Sequence, residues 1–186
     1  VFKRWLLGAQ TAWSYEKMQG LGYCYSMLPA LKEIYKDDPE GMKSAVKNHL
    51  QFFNTNQWMA SIILGVNVAV EEKLKKEGQD AIASIKTGLM GPMAGIGDTL
   101  FYVIIPTIFG SIAAYMAIEG SMIGCFLWLA ANIVIVGIRY ALYRLGYQQG
   151  TNVVKSISGK LNTVTEAASI LGLTVVGALI PSVVSA

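Results

Sequence analysis

Apolar and polar positions change their rhythm along this chain. Over residues 12–36, Trp13, Met18, Leu21, Tyr25, Leu28, Leu31 and Tyr35 recur at helical spacing, which predicts a helix kinked or divided at Pro29. Asp38-Pro39-Glu40 reads as a helix start: a capping carboxylate, proline in the first turn, then an acid at the positive end of the dipole. The helix that follows places Met42, Val46, Leu50 and Phe53 on one face and Lys43 and Lys47 on another. Both segments are amphipathic, suited to a membrane surface or a partner.

From residue 58 the pattern turns apolar. Residues 58–70 form a run too short for a full span of about 20 residues, and it ends in Glu71-Glu72-Lys73-Leu74-Lys75-Lys76-Glu77-Gly78. A re-entrant or half-buried helix with a glycine stop is predicted. Residues 88–118 carry one charge, Asp98, and are interrupted by Gly91-Pro92, Gly95 and Gly97. They divide into a re-entrant piece at 81–96 and a spanning helix at 99–118. Residues 121–138 have no charge and span again, with Glu119-Gly120 as the turn. Residues 140–166 are mixed and amphipathic, and 167–186 are uncharged, with Pro181 near the end. The fold class expected is an all-α polytopic membrane protein. Its regions are an interfacial part (1–57), a re-entrant core with a glycine-rich broken helix (58–98), a transmembrane hairpin (99–138) and an amphipathic and apolar tail (139–186).

Composition sharpens this. Only 15% of residues are charged against 53% hydrophobic, where a soluble domain has about a quarter charged. Beyond residue 86 the charges are Asp98, Glu119, Arg139, Arg144, Lys155, Lys160 and Glu166. Lys86 before the hairpin and Arg139 and Arg144 after it place both its ends in the cytoplasm. A net charge of +3, with acids and bases interleaved, leaves no nucleic-acid footprint. Cys24 and Cys125 are expected to be buried free thiols. The stretch after Lys3 and Arg4 is too short an apolar run for a signal peptide. The chain begins at Val1 and stops inside an apolar run, which reads as a trimmed product.

Three groups of side chains suggest chemistry. Asp98 is a carboxylate in an apolar run, costly there by about 2.5–3.5 kcal/mol. It either faces a polar cavity, as in the discontinuous helices of transporters, or caps a helix starting at Thr99. Asn54, Thr55, Asn56 and Gln57 offer donors and acceptors together, as sugar hydroxyls require; a capped loop is the plainer reading. Gln10, Trp13, Tyr15 and Glu16 form a polar–aromatic cluster suited to stacking on a sugar or to anchoring at the interface. His49, the one histidine, could accept a phosphoryl group; a surface or interface position is the expectation. No triad, phosphate loop, paired catalytic carboxylates or metal motif appears, so no cofactor and no catalysis by the chain itself are expected.

Several strings resemble the IID subunit of mannose-type sugar phosphotransferase permeases. They are Trp13-Ser14-Tyr15-Glu16-Lys17-Met18-Gln19 with Gly22-Tyr23, and His49-Leu50-Gln51-Phe52-Phe53-Asn54-Thr55. Further on come Ile85-Lys86-Thr87-Gly88-Leu89-Met90-Gly91-Pro92 leading into Ala94-Gly95-Ile96-Gly97-Asp98, and Glu166-Ala167-Ala168-Ser169-Ile170-Leu171-Gly172-Leu173. They occur in the family's order across essentially the whole chain. The resemblance implies a bacterial cytoplasmic-membrane subunit that pairs with IIC, in trimers of heterodimers, with core and scaffold parts. It implies a sugar that binds in the core and crosses by an elevator-like movement. Soluble IIA and IIB subunits would carry the phosphoryl group, with none on IID. The alternative is a scaffold that braces IIC without touching sugar. Family members often read Asn-Thr-x-Pro where this chain has Asn54-Thr55-Asn56-Gln57, and many mannose and glucose members carry Arg-Pro where it has Ile105-Pro106. Both differences weaken the case for mannose and leave an amino sugar such as N-acetylgalactosamine, or sorbose, open. The family usually continues past this C-terminus with another membrane segment.

Overall fold

The structure is a computed structural model that describes residues 1–150; the apolar run at 167–186 and Glu166 lie outside the described residues. Seven α-helices account for most of these: α1 (Phe2–Gly8), α2 (Gly20–Ile34), α3 (Pro39–His49), α4 (Ala60–Leu74), α5 (Gln79–Gly97), α6 (Ile105–Ile118) and α7 (Ile123–Gln149). A short 3₁₀ turn (Lys75–Gly78) joins α4 to α5, and a π-helical stretch (Asp98–Ile104) joins α5 to α6.

Helix α4 is the axis. Every residue from Ala60 to Glu71 is buried, because α2, α5 and α7 all pack against it. The run at 58–70 is therefore apolar on all sides for the reason that any enclosed helix is. Where α4 crosses α7 the backbones touch. A Cβ on Gly65 would lie 2.1 Å from the carbonyl oxygen of Tyr143, and one on Gly146 would lie 2.2 Å from that of Ile62. Small residues at a helix crossing allow such approach.

The Asp38-Pro39-Glu40 start is borne out: the Asp38 carboxylate accepts from the Gly41 N–H at 2.9 Å, with Pro39 in the first turn. So is the turn at 119–120, where Gly120 adopts a φ of +79° between α6 and α7. Elsewhere the helices differ from expectation. Helix α2 begins at Gly20, not near residue 12, and runs through Pro29. The preceding residues are held off helix by tertiary pairing: Gln19 N–H donates to the Phe53 carbonyl at 2.8 Å and Phe53 N–H to that of Lys17 at 3.3 Å, with Met18 at a φ of +50°. Phe53 thereby leaves the α3 face and joins the core. Helix α4 stops at Lys75, which takes a φ of +46°, rather than at Gly78.

The expected break between residues 91 and 98 is absent. Helix α5 continues through Pro92, Gly95 and Gly97, and the π stretch, not an interruption, absorbs the irregularity. Asp98 has helical angles (φ −66°, ψ −42°), so it does not cap a helix starting at Thr99.

Among the described residues two helical stretches, within Ala60–Ile118 and Ile123–Gln149, are long and apolar enough to cross a membrane, and only 11% of the apolar window in each is buried. Ile118, Phe126, Ile133 and Val134 are among the large apolar side chains left outside on α6 and α7. Cys24 is buried as expected, but Cys125 is exposed on that outer surface. Lys86, read as a positive charge before the hairpin, is 2% exposed and sits over the Tyr23 ring at 4.7 Å while donating to the His49 carbonyl at 3.2 Å. Its charge meets the carbonyls at the C-terminal end of α3.

Candidate functional site

The segment between α3 and α4 has no regular structure of its own, and its shape comes from its neighbours. Gln19, buried at the foot of α2, grips Thr55 twice: its amide nitrogen donates to the Thr55 carbonyl at 2.8 Å, and its oxygen accepts from the Thr55 N–H at 3.3 Å. A side-chain amide thus replaces a strand partner. The Thr55 hydroxyl donates to the Met90 carbonyl on α5 at 2.8 Å, and the Asn54 N–H points to the Met90 sulfur at 3.2 Å.

Asn56 organises the rest. Its Oδ1 accepts from the N–H groups of Trp58 and Met59 at 3.0 and 3.2 Å, satisfying free donors at the start of α4. Its Nδ2 donates to Asp98 Oδ1 at 2.9 Å. The approach requires Gly97, where a Cβ would fall 2.3 Å from the Asn56 side chain. The Gln57 carbonyl accepts twice, from the Trp5 indole at 2.8 Å and from Arg139 Nη2 at 3.3 Å. Trp58 stacks on Phe101 of the π stretch with ring centroids 5.6 Å apart. π-helical turns inside α-helices occur frequently at functional sites.

The structure therefore gathers Asn54, Thr55, Asn56, Gln57 and Asp98 into one place but divides their duties. Thr55 and Asn56 are buried and have their side-chain polar atoms engaged by protein. Asn54 and Asp98 are exposed, and the Gln57 side chain is half-buried. Gln10, Trp13 and Glu16 are exposed on the turns before α2; Trp13 packs edge-on against Tyr15 at 5.3 Å, and Glu16 pairs with Lys17 at 3.1 Å. These turns reach the loop through the pairing of Lys17 and Gln19 with Phe53. The accessible set is the Asn54 amide and the Asp98 carboxylate, together with the half-buried Gln57 amide, a chemistry for polyhydroxylated, uncharged ligands. Among the described residues no group of three His, Cys, Asp or Glu side chains converges on a metal position.

Sequence reasoning missed Gln19, Trp5 and Arg139. Arg139 stands in an apolar helix as Asp98 does, and the same cost of an intramembrane charge would have singled it out.

His49 is not at a surface. It is 0% exposed, its Nε2 lies 3.0 Å from Glu71 Oε1, and the Tyr35 hydroxyl donates to Glu71 Oε2 at 2.6 Å. Glu71 is equally enclosed. A phosphoryl carrier could not reach this imidazole. Burial holds the His49 pKa below its usual value, with Lys86 acting in the same direction and Glu71 against both. The neutral ring, with Nε2–H donating to Glu71, fits this, since buried Nδ1 has no partner to receive a second N–H. A histidine whose folded pKa is depressed stabilises the fold fully above its unfolded value of about 6.5 and progressively less as pH falls below that. The melting temperature of the detergent-solubilised protein is expected to fall between pH 7 and pH 5. In His49→Gln that His49-linked component of the fall should be missing; an unchanged slope would overturn the assignment.

The comparisons with known proteins come to bear on this arrangement. The family described as "PTS system mannose/fructose/sorbose family IID component" matches residues 1–186. The "PTS system mannose-specific EIID component" of Escherichia coli (strain K12) is 42% identical over 176 residues, 92% of this chain and 62% of that protein. The "Fructose permease IID component" of Bacillus subtilis (strain 168) is 37% identical over 180 residues, 94% of this chain and 64% of the relative. The chain thus spans less than two thirds of the length of these curated relatives. A chain in the solved structure titled "CryoEM Structure of Mannose Transporter ManYZ and Microcin E492 (MceA) complex" superposes with a TM-score of 0.76 at 42% identity, covering 96% of this chain and 67% of that one. By sequence along its whole length and by fold, this chain belongs to the IID components of the mannose/fructose/sorbose family of sugar phosphotransferase systems.

Proposed function

We propose that the chain, with a IIC membrane subunit, binds a hexose or amino sugar and carries it across the bacterial cytoplasmic membrane for phosphorylation by IIB, itself charged by IIA. One observation carries this reading: the exposed carboxylate on the π-helical stretch of a membrane helix is tied to a loop that leaves Asn54 exposed beside it. Asn54, Gln57 and Asp98 are the side chains offered to the sugar hydroxyls, while Thr55 and Asn56 hold them in place. Trp13, with Gln10 and Glu16 beside it, supplies a ring face at the rim. The apolar outer faces of α6 and α7 meet lipid or the IIC subunit. The relative named a mannose transporter complex supports a paired membrane subunit. Assembly as a trimer of heterodimers, and an elevator-like displacement of the part that holds the sugar, belong to the same proposal.

The test is uptake of radiolabelled mannose, fructose, sorbose and N-acetylgalactosamine. Cells lacking their own permease would express the full-length subunit with its IIA, IIB and IIC partners. Asp98→Ala and Asn54→Ala are each expected to reduce uptake of the accepted sugar about ten- to hundredfold, the equivalent of one or two charged or neutral hydrogen bonds. Normal uptake by both, with the protein present in the membrane, would leave sugar contact to IIC and make this subunit a brace.

A further inference from the structure

We propose that Arg139 is a positioning residue for the sugar site, acting through Gln57 and Trp58; the inference rests on the site reading given above. Arg139 lies on α7, far in sequence from the loop, yet it is only 4% exposed and its guanidinium reaches two consecutive loop residues. Nη2 donates to the Gln57 carbonyl at 3.3 Å, and the guanidinium carbon stands 4.6 Å from the centre of the Trp58 ring. The same ring stacks with Phe101, three residues beyond Asp98 on the π stretch, at an interplanar angle of 19°. The indole thus contacts both the guanidinium of α7 and the phenyl on the helical stretch that bears the carboxylate.

A planar cation is the group for this position. It stacks on an aromatic face and donates in its own plane at the same time, which an ammonium cannot do. No carboxylate lies within ion-pairing distance of Arg139 among the described residues. Its charge is met by a carbonyl and a π face, an arrangement that costs stability at membrane depth. A brace of α7 on α4 would not need it, because the Gly65 and Gly146 crossing already joins those helices by direct backbone contact. The cation is placed instead where the loop turns into α4, on the two residues that follow Asn56, whose side chain bonds Asp98.

Gln57 is the site residue with the most to lose. Its carbonyl is fixed from two sides, by Trp5 of α1 and Arg139 of α7, so its side chain projects from a backbone with no freedom to swing. Loss of either donor lets that peptide rotate. The sugar then meets a mobile amide, and binding energy is lost to ordering it. The step affected is recognition, not the passage that follows.

Uptake kinetics of the complete permease test this, with radiolabelled mannose, fructose and N-acetylgalactosamine as probes. Arg139→Lys is expected to raise the apparent KM for the accepted sugar about tenfold, the equivalent of one hydrogen bond, with the maximal rate per molecule of complex kept within about twofold. Trp5→Phe, which keeps the ring and removes the other donor, should raise KM in the same direction. The double variant should show less than the product of the two effects, because both donors serve one carbonyl. KM does not depend on how much complex accumulates, so a poorly accumulating variant still decides. An Arg139→Lys permease with the wild-type KM overturns the assignment and leaves Arg139 a structural residue, as does a double variant whose effects multiply. Asp98→Ala and Asn54→Ala run alongside. If they leave uptake unchanged, the site reading itself fails; if they abolish it while Arg139→Lys keeps its KM, only the role of Arg139 falls.

Discussion

Glu71→Ala is expected to lose the folded protein. The carboxylate is 0% exposed and is held by the Tyr35 hydroxyl at 2.6 Å and by His49 at 3.0 Å. Truncation removes the acceptor for both at once and leaves an imidazole N–H and a phenol enclosed without partners. Leaving a buried donor unsatisfied costs about 1–3 kcal/mol, and two such costs are a large part of the about 5–15 kcal/mol that holds a domain together. The same bond makes the Tyr35 hydroxyl a committed donor, since burial and the neighbouring carboxylate both push its pKa up. Three helices meet at this point: Tyr35 caps the end of α2, α3 ends at His49, and Glu71 lies in the last turn of α4. Membrane abundance and the temperature at which the detergent-solubilised complex aggregates read the effect. Glu71→Gln keeps one acceptor oxygen and should fall between the parent and the alanine variant. An alanine variant with parental abundance and melting behaviour would show that the cluster is not a keystone of the fold.

The second large effect is steric. Gly65→Ala and Gly146→Ala each place a methyl against backbone, 2.1 Å from the Tyr143 oxygen and 2.2 Å from the Ile62 oxygen. Backbone in two packed helices has no rotamer to change, so the helices must separate. Overpacking of this kind costs about 1–3 kcal/mol, occasionally more. The two substitutions act on one crossing from opposite sides. Once the first has opened it, the second meets more room, so the double variant should lose less than the sum of the singles. Thermal unfolding of the solubilised complex measures all three. Simple additivity would mean that the two glycines do not share an interface.

One helix start and one turn were legible locally. Asp38-Pro39-Glu40 works as a start because every group in it acts within one helical turn. The Glu119-Gly120 turn follows from the sudden loss and return of apolar character around it. Asp98 stood out because a single charge in a long apolar run is costly wherever the chain folds. The misplacements share one cause. Pro92 and three glycines suggested a broken helix, but a π stretch a few residues later accommodated the chain without a break. Residues 12–19 carry helical periodicity, yet pairing with Phe53 holds them in turns.

By itself the sequence determined the solvent of this protein, its helical make-up, its family and one carboxylate that had to be met by something polar. These follow from composition, short-range periodicity and ordered motifs, all of which survive in a linear string. Only the tertiary structure decided which partner each polar group has. It turned Asn56 inward to Asp98, enclosed His49 with Glu71, and brought Arg139 to a carbonyl 82 residues away. Hydrogen bonds are short and directional, and the residues that make them here are separated by helices whose packing no local pattern encodes.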